Sequence, residues 1–515
     1  MEEIYNIILR KGADYDVFWN DMESITNKDG IPNREVSVAN RREASYRQTW
    51  YNLTEEEVEE VKLHPDVIEV ERPPEFRDDI TLSPDVIFED DFTRESSAGS
   101  NWGLLHSISP ANYDTSNTQY TYNLDGKGVD IVIQDSGVQT THIDLADRYQ
   151  SINWDTESGL AFTQSANHDR DYDGHGTHVA GIAAGTRFGI AKGATIHSVK
   201  VGGLEGSGDS GTGIAITNCF DAIKLWHRNK PINAQTGVKR PTVVNMSWGY
   251  SSEFAGGTTA YAVRHRGTYY ASQTIQDDHG GDLRNFGLNE FNPNIGALGT
   301  WKHPVRVTSV DTDVEELIDE GVHVVIASGN SNHKIDVSGG TDYNNEALIR
   351  NTTWKYYHRG GSPLATGAIN VGNIDSSLTG SNDMRAVSSN HGPGVDIYAP
   401  GTGINSSMST DCSRARYSYG VGGWYSSLSG TSMAAPQVTG VVALILQANP
   451  SATPAEVKRI LIEKARKTSL HTPTEHISGS RSIQTDSYNV LFNPYGKEQE
   501  LEIQGNLDIP FSITY

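Results

Sequence analysis

Val129-Asp130-Ile131-Val132-Ile133-Gln134-Asp135-Ser136-Gly137 is an apolar run that ends on a carboxylate and a glycine. Such a run reads as a strand buried on both faces, with Asp135 delivered at its C-terminal end, where open α/β sheets place their sites. Outward from it, further apolar strands such as Val322-His323-Val324-Val325-Ile326-Ala327 alternate with helical stretches such as Thr212 to Trp226 and Thr453 to Lys464. That alternation predicts an α/β fold, a parallel sheet flanked by helices. The run Gly440-Val441-Val442-Ala443-Leu444-Ile445-Leu446 is too short to span a bilayer and reads as buried helix. An Asp before glycine is ordinarily a turn former, so Asp135 alone implies no chemistry.

Two other segments change that. In Asp173-Gly174-His175-Gly176-Thr177-His178-Val179-Ala180-Gly181, His175 opens a helix whose small residues allow close packing. Two histidines three apart also suggest metal ligands, but there is no Glu placed as on a zinc-protease helix and no nearby cysteine. The preceding Asp169-Arg170-Asp171-Tyr172-Asp173-Gly174 imitates the start of a calcium loop, yet Ala180 stands where the bidentate Glu belongs. The other segment is Leu428-Ser429-Gly430-Thr431-Ser432-Met433-Ala434-Ala435-Pro436, which leads into an apolar helix from Gln437 to Gln447. Ser432 sits at a helix N-terminus, where free N–H groups favour developing negative charge. An N-cap serine is the bland alternative, and the G-x-S-x-G elbow fails because Ala434 takes the last place. Together the three segments supply a hydroxyl, an imidazole to remove its proton, and a carboxylate to fix the imidazole tautomer.

In these three segments, and in the order Asp135, His175, Ser432, the chain resembles the subtilisin-like serine proteases, or subtilases (peptidase family S8). The resemblance covers roughly residues 101–468 and implies a serine endopeptidase working through an acyl-enzyme. It implies that Asn330, in Val325-Ile326-Ala327-Ser328-Gly329-Asn330, donates its amide to the oxyanion beside the Ser432 N–H. Val243-Val244-Asn245-Met246-Ser247-Trp248-Gly249 resembles the wall of the P1 pocket, and Gly206-Ser207-Gly208 the edge that pairs with an extended polypeptide substrate. Trp248 is a bulkier wall residue than the resemblance leads one to expect. Segments 247–330, 331–361 and 406–425 look extended and border the cleft. The connection Gly185-Thr186-Arg187-Phe188-Gly189-Ile190-Ala191 resembles the proteinase K branch, without the loop that holds a tight calcium ion. No cofactor is required and no metal ligand is assigned, though a weak structural calcium stays open.

Residues 1–71 read as a separate α+β unit. Ile4-Tyr5-Asn6-Ile7-Ile8-Leu9 is a strand, and Asp16 to about Ile25 a helix with Val17, Phe18, Met22 and Ile25 near one face. Thr54 with Glu57 forms a capping box, and Val67-Ile68-Glu69-Val70-Glu71 alternates as an edge strand. This plan resembles the family's inhibitor-I9-like propeptide, which implies an intramolecular inhibitor and a zymogen. Residues 72–100 read as an acidic linker beginning Arg72-Pro73-Pro74, whose prolines leave register and cleavage point open. Residues 469–515 read as a short β extension.

With 41 Lys+Arg against 65 Asp+Glu the net charge is −24, which excludes a basic nucleic-acid binder. Two cysteines exclude a disulfide scaffold. No apolar run reaches membrane-span length, and Met1-Glu2-Glu3-Ile4-Tyr5-Asn6 carries no basic, apolar leader. These features predict a partner set without nucleic acid or membrane, and cytoplasmic synthesis with later release or packaging into a particle. The alternative function is a silenced subtilase-fold assembly protein whose C-terminal extension contacts a partner.

Overall fold

The computed structural model describes residues 2–84, 88–89, 102–109, 120, 122–204, 212–253, 262–272, 283–288, 302–349, 353–379, 382–418, 422–468 and 488–495. The strand Asp130–Asp135 is buried along its whole length and pairs in parallel with Thr195–Lys200 on one side and Thr242–Met246 on the other. The sheet continues in parallel through His323–Ala327, Ile369–Thr379, Ile397–Pro400 and Tyr488–Val490. It is mixed rather than wholly parallel. Arg466–Thr468 and Asn382–Arg385 add antiparallel, the second as a hairpin on Ile369–Thr379. Strand-to-helix alternation carries no signal for such short antiparallel additions, so only the parallel core was expected.

Strand periodicity divides the core. Ile131 and Ile133 face one layer with Val179, Val438 and Val442, while Val132 and Val244 face the other with Phe220 and Val310. The first layer holds the helices His175–Ala184 and Thr431–Ala448, packed against each other. The second holds Ile216–Asn229 and Thr308–Asp319. The helix Thr431–Ala448 is long and apolar enough to cross a membrane, and it is buried inside this fold.

The first 71 residues lie on the second layer. They form a four-stranded antiparallel sheet in the order Val38–Arg41, Gln48–Leu53, Glu3–Leu9, Val67–Glu71, covered by the helices Tyr15–Met22 and Glu55–Val61. The Thr54/Glu57 capping box is formed. Phe18 and Met22 are buried, but Val17 and Ile25 are exposed. Positions 18 and 22 share a helix face, Val17 is a third of a turn away, and the helix stops before Ile25 can come round.

This unit meets the layer below through charge. Arg42 is buried between Asp221 and Asp313, at 2.8 and 2.7 Å. Neither supporting helix has a side-chain cap of its own at Ala215 or Val307. Glu71 accepts from the backbone N–H groups of Thr308 and Ser309, and Glu75 accepts from the N–H and hydroxyl of Thr217. Two orphaned helix N-termini are thus closed by carboxylates from the N-terminal segment.

Within the stretch read as a linker, Pro74–Phe76 forms a 3-10 turn and Thr81–Pro84 a strand antiparallel to Trp248–Glu253. Phe88–Glu89 pairs antiparallel with Trp424–Ser429. The insertions after Ser247 and Ser331 fold together. Ala262–His265, Thr268–Ala271, Glu346–Ile349 and Thr353–Tyr356 make one four-stranded antiparallel sheet. Of the C-terminal extension, Tyr488–Val490 joins the central sheet as a strand, whereas 469–487 and 496–515 lie outside the described residues.

Candidate active site

Asp135 ends its strand fully buried, and its Oδ1 lies 2.7 Å from Nδ1 of His175. The same oxygen accepts from the N–H of Ser136. His175 is the first residue of its helix because Gly174, at φ +92°, turns the chain there. Gly176 makes the approach of helix and strand feasible, since a Cβ at that position would stand 2.0 Å from the carbonyl oxygen of Gly137. Burial opposes the charged imidazole, but the charge and hydrogen bond of Asp135 outweigh it and raise the His175 pKa above its ordinary value. Nε2 of His175 is buried with no hydrogen-bond partner among the described residues.

Asp171 fastens this half together. Its carboxylate accepts from the Ser136 hydroxyl at 2.8 Å, the Gly174 N–H at 2.7 Å, and both the N–H and hydroxyl of Thr177. In the sequence this residue stands out only as part of an incomplete calcium loop. The signal that could have found it is an acid four positions before His175 with Ser136 and Thr177 as ready donors. His178 is held neutral by burial, its pKa pushed down to about 3, and its Nε2 lies 3.1 Å from the carbonyl of Ser426. Among the described residues no group of three or more His, Cys, Asp or Glu is arranged to hold a metal ion.

Ser432 lies in the first turn of Thr431–Ala448 and is buried. Its hydroxyl donates to the carbonyl of Ser247 at 3.0 Å rather than to His175. The reverse bond also exists, Ser247 Oγ donating to the Ser432 carbonyl at 3.1 Å. Pro436 explains that second bond. It has no N–H to offer the carbonyl four residues back, so Ser247 supplies the missing donor. Asn245 Nδ2 holds Ser247 Oγ at 2.8 Å, and Thr439 holds Asn245, tying the helix to the sheet.

Asn330 is buried just beyond the strand His323–Ala327, and its Oδ1 accepts from the N–H of Thr431 at 2.9 Å and from its hydroxyl at 3.1 Å. Anchored by its oxygen, the amide has a defined orientation beside Ser432. Trp248 follows Ser247 on the strand expected to form a pocket wall, but its indole is buried against Phe220 and Tyr250. Gly249 in that strand pairs with Ser83, and Trp248 with Pro84. Gly206, Ser207 and Gly208 lie outside the described residues. Cys219 and Cys412 are both buried and unbridged.

Comparison with known proteins places the chain in a family. The extracellular serine proteinase of Thermus sp. (strain Rt41A) is 30% identical over 349 residues, 67% of this chain and 57% of that protein. The alkaline serine exoprotease A of Vibrio alginolyticus is 27% identical over 414 residues, 80% of this chain and 54% of that protein. The chain thus spans little more than half the length of these two relatives. In fold it is similar to fervidolysin of Fervidobacterium pennivorans, a keratinolytic enzyme related to subtilisin, with a TM-score of 0.52 at 18% identity over 96% of this chain and 60% of that one. The profile of the subtilase family matches residues 126–496. The chain belongs to the subtilase family.

Proposed function

We propose that the protein is a serine endopeptidase, made as a self-inhibited zymogen, that hydrolyses polypeptides through Asp135, His175 and Ser432. The observation that carries this reading is the buried Asp135–His175 pair, with Nε2 unpartnered among the described residues and Ser432 on the adjacent helix. In this reading the Ser432 hydroxyl leaves the Ser247 carbonyl and donates to that nitrogen. Nε2 removes the hydroxyl proton as Oγ attacks the peptide carbonyl, and Asp135 stabilises the imidazolium. The oxyanion that forms is met by the amide of Asn330 and the N–H of Ser432, donors whose loss typically costs 10²–10³-fold in rate. Collapse breaks the C–N bond, with the proton passing from Nε2 to the departing amine. Water, deprotonated by the same nitrogen, then cleaves the acyl-enzyme and restores the Ser432 hydroxyl.

Substrate binds as an extended strand added to Trp248–Glu253, a place that Thr81–Pro84 of the chain itself occupies. The N-terminal unit is the inhibitor in this reading. Its support is the pair of helix caps from Glu71 and Glu75 and the buried Arg42 contact, which hold that unit so that the following chain enters the groove.

Labelling with a fluorophosphonate tests the proposal independently of substrate preference. The adduct should map to Ser432 and be absent from Ser432→Ala. Folded wild-type protein that takes no label, both before and after limited proteolysis of the N-terminal unit, sinks it.

A further inference from the structure

The segment Ser328 to His333 carries Asn330 along an irregular path, with Gly329 N–H donating to Thr431 Oγ1 and Asn332 N–H to the carbonyl of Ser388. Gly329 has φ +98°, and Asn332, a non-glycine residue, has φ +52°. One buried side chain spans the segment. Asn390 donates from Nδ2 to the carbonyl of Ser328 at 2.7 Å, and its Oδ1 accepts from the N–H of Ser331 at 3.2 Å and of His333 at 2.9 Å. Its own N–H donates to the carbonyl of Gly329 at 2.9 Å. These bonds grip the chain two residues and one residue before Asn330, and one and three residues after it. The donor and acceptor ends of the amide match only one orientation, because Ser328 offers a carbonyl and the other two offer N–H groups. Asn390 is itself fixed, since Ser389 Oγ donates to its carbonyl and accepts from the N–H of Asn373 in the strand Ile369–Thr379.

We propose that Asn390 is a positioning residue for oxyanion stabilisation, holding the Asn330 amide where the tetrahedral intermediate forms. The inference rests on the reading of Asn330 as the oxyanion donor. Asn390 touches no reacting atom, and its effect passes through Asn330 alone. A displacement of the order of 1 Å at a stabilising donor is enough to lower a rate by large factors. A structural staple with no catalytic consequence would instead lower stability and leave the rate of the folded protein unchanged.

The test is a double-mutant cycle on the rate of fluorophosphonate labelling, read on protein shown to be folded by circular dichroism at the assay temperature. Asn390→Ala should slow labelling about tenfold or more, within the 10²–10³-fold ceiling set by loss of the donor itself. In an Asn330→Ala background the same change should slow labelling less than about twofold, because the residue it positions has gone. Asn390→Asp keeps the shape and both accepting bonds, and it carries the test should the alanine variant not fold. It should lie between wild type and Asn390→Ala, again only while Asn330 is present. Equal losses in the two backgrounds, or no loss in either, overturn the inference. An Asn330→Ala protein that labels at the wild-type rate overturns the oxyanion reading and this inference with it.

Discussion

Asp135 and His175 are bonded to each other at 2.7 Å, whereas Ser432 and Asn330 are bonded to the scaffold, one to Ser247 and the other to Thr431. The first pair is fixed by an anion facing an imidazole in a buried site, an attraction too strong to be left unmade. The second pair consists of neutral groups whose ground-state partners are ordinary hydrogen bonds, each worth about 1 kcal/mol net. The difference teaches that folding bonds the charged half within itself, whereas in the neutral half Asn330 is held through its oxygen and the Ser432 hydroxyl rests on a backbone carbonyl that it must leave to reach His175.

The largest expected effect comes from breaking the charged half. Asp135→Asn keeps the shape but removes the charge, and kcat should fall about 10⁴-fold. The pH profile should move too. In the wild type, Asp135 raises the His175 pKa against the opposing effect of burial, so the acidic limb of the labelling rate should lie above the ordinary histidine value. With the carboxylate gone, burial is opposed only by the weaker pull of Asp173, against which Arg414 also acts, and the limb should shift to lower pH. The stability linkage has a definite sign. Because the folded-state pKa is raised, the protonated pair stabilises the fold fully below the unfolded value, and this contribution is lost as pH rises through the folded one. Labelling rates measured across pH check the limb and urea unfolding across the same range checks the linkage, and an acidic limb that stays where it was breaks the contrast between the halves.

A smaller effect follows from prising the halves apart. The helices that begin with His175 and with Thr431 approach closely at Gly440, where a Cβ would stand 2.6 Å from Ile190 Cβ and 2.9 Å from the carbonyl oxygen of Ala183. Gly440→Ala gains about 1 kcal/mol in helix propensity but costs about 1–3 kcal/mol in overpacking. Contacts this short, one of them to backbone, put the cost at the upper end. The variant should lose about 2 kcal/mol in urea unfolding and label more slowly. A stabilised variant would mean that the helices can separate without disturbing the site.

Much of the charged half was legible because its parts are local. His175, Gly176 and Thr177 are consecutive, and Asp135 is followed at once by the Ser136 and Gly137 that receive the helix. The place of Ser432 in the first turn of a helix was legible for the same reason, but its hydroxyl partner was not, since Ser247 is 185 positions away and a side-chain rotamer is decided by whatever the fold brings near. Distance in sequence also hid Arg42. Nothing in its local sequence marks it, and only folding brings it between Asp221 and Asp313. The helix caps from Glu71 and Glu75 were invisible in the same way. Their signal in the sequence is negative, two helices that begin after Ala215 and Val307 without a capping side chain.

The smallest expected effect probes the neutral half directly. Ser247→Ala leaves the backbone carbonyl that accepts from the Ser432 hydroxyl, so that hydroxyl keeps its resting partner. It removes the donor to the Ser432 carbonyl, which Pro436 cannot replace, and takes an acceptor from Asn245. A buried carbonyl without a partner costs about 1–3 kcal/mol. The lower end applies, because the first helical turn can tighten to offer it the N–H of Ala435 in a 3-10 bond. We therefore expect a stability loss of about 1 kcal/mol and labelling slowed a few-fold, with the acidic limb at the wild-type pH because His175 and Asp135 are untouched. A moved limb would show that the two halves are coupled through more than the reacting hydroxyl, whereas an unmoved limb with slower labelling places the loss on the nucleophile alone.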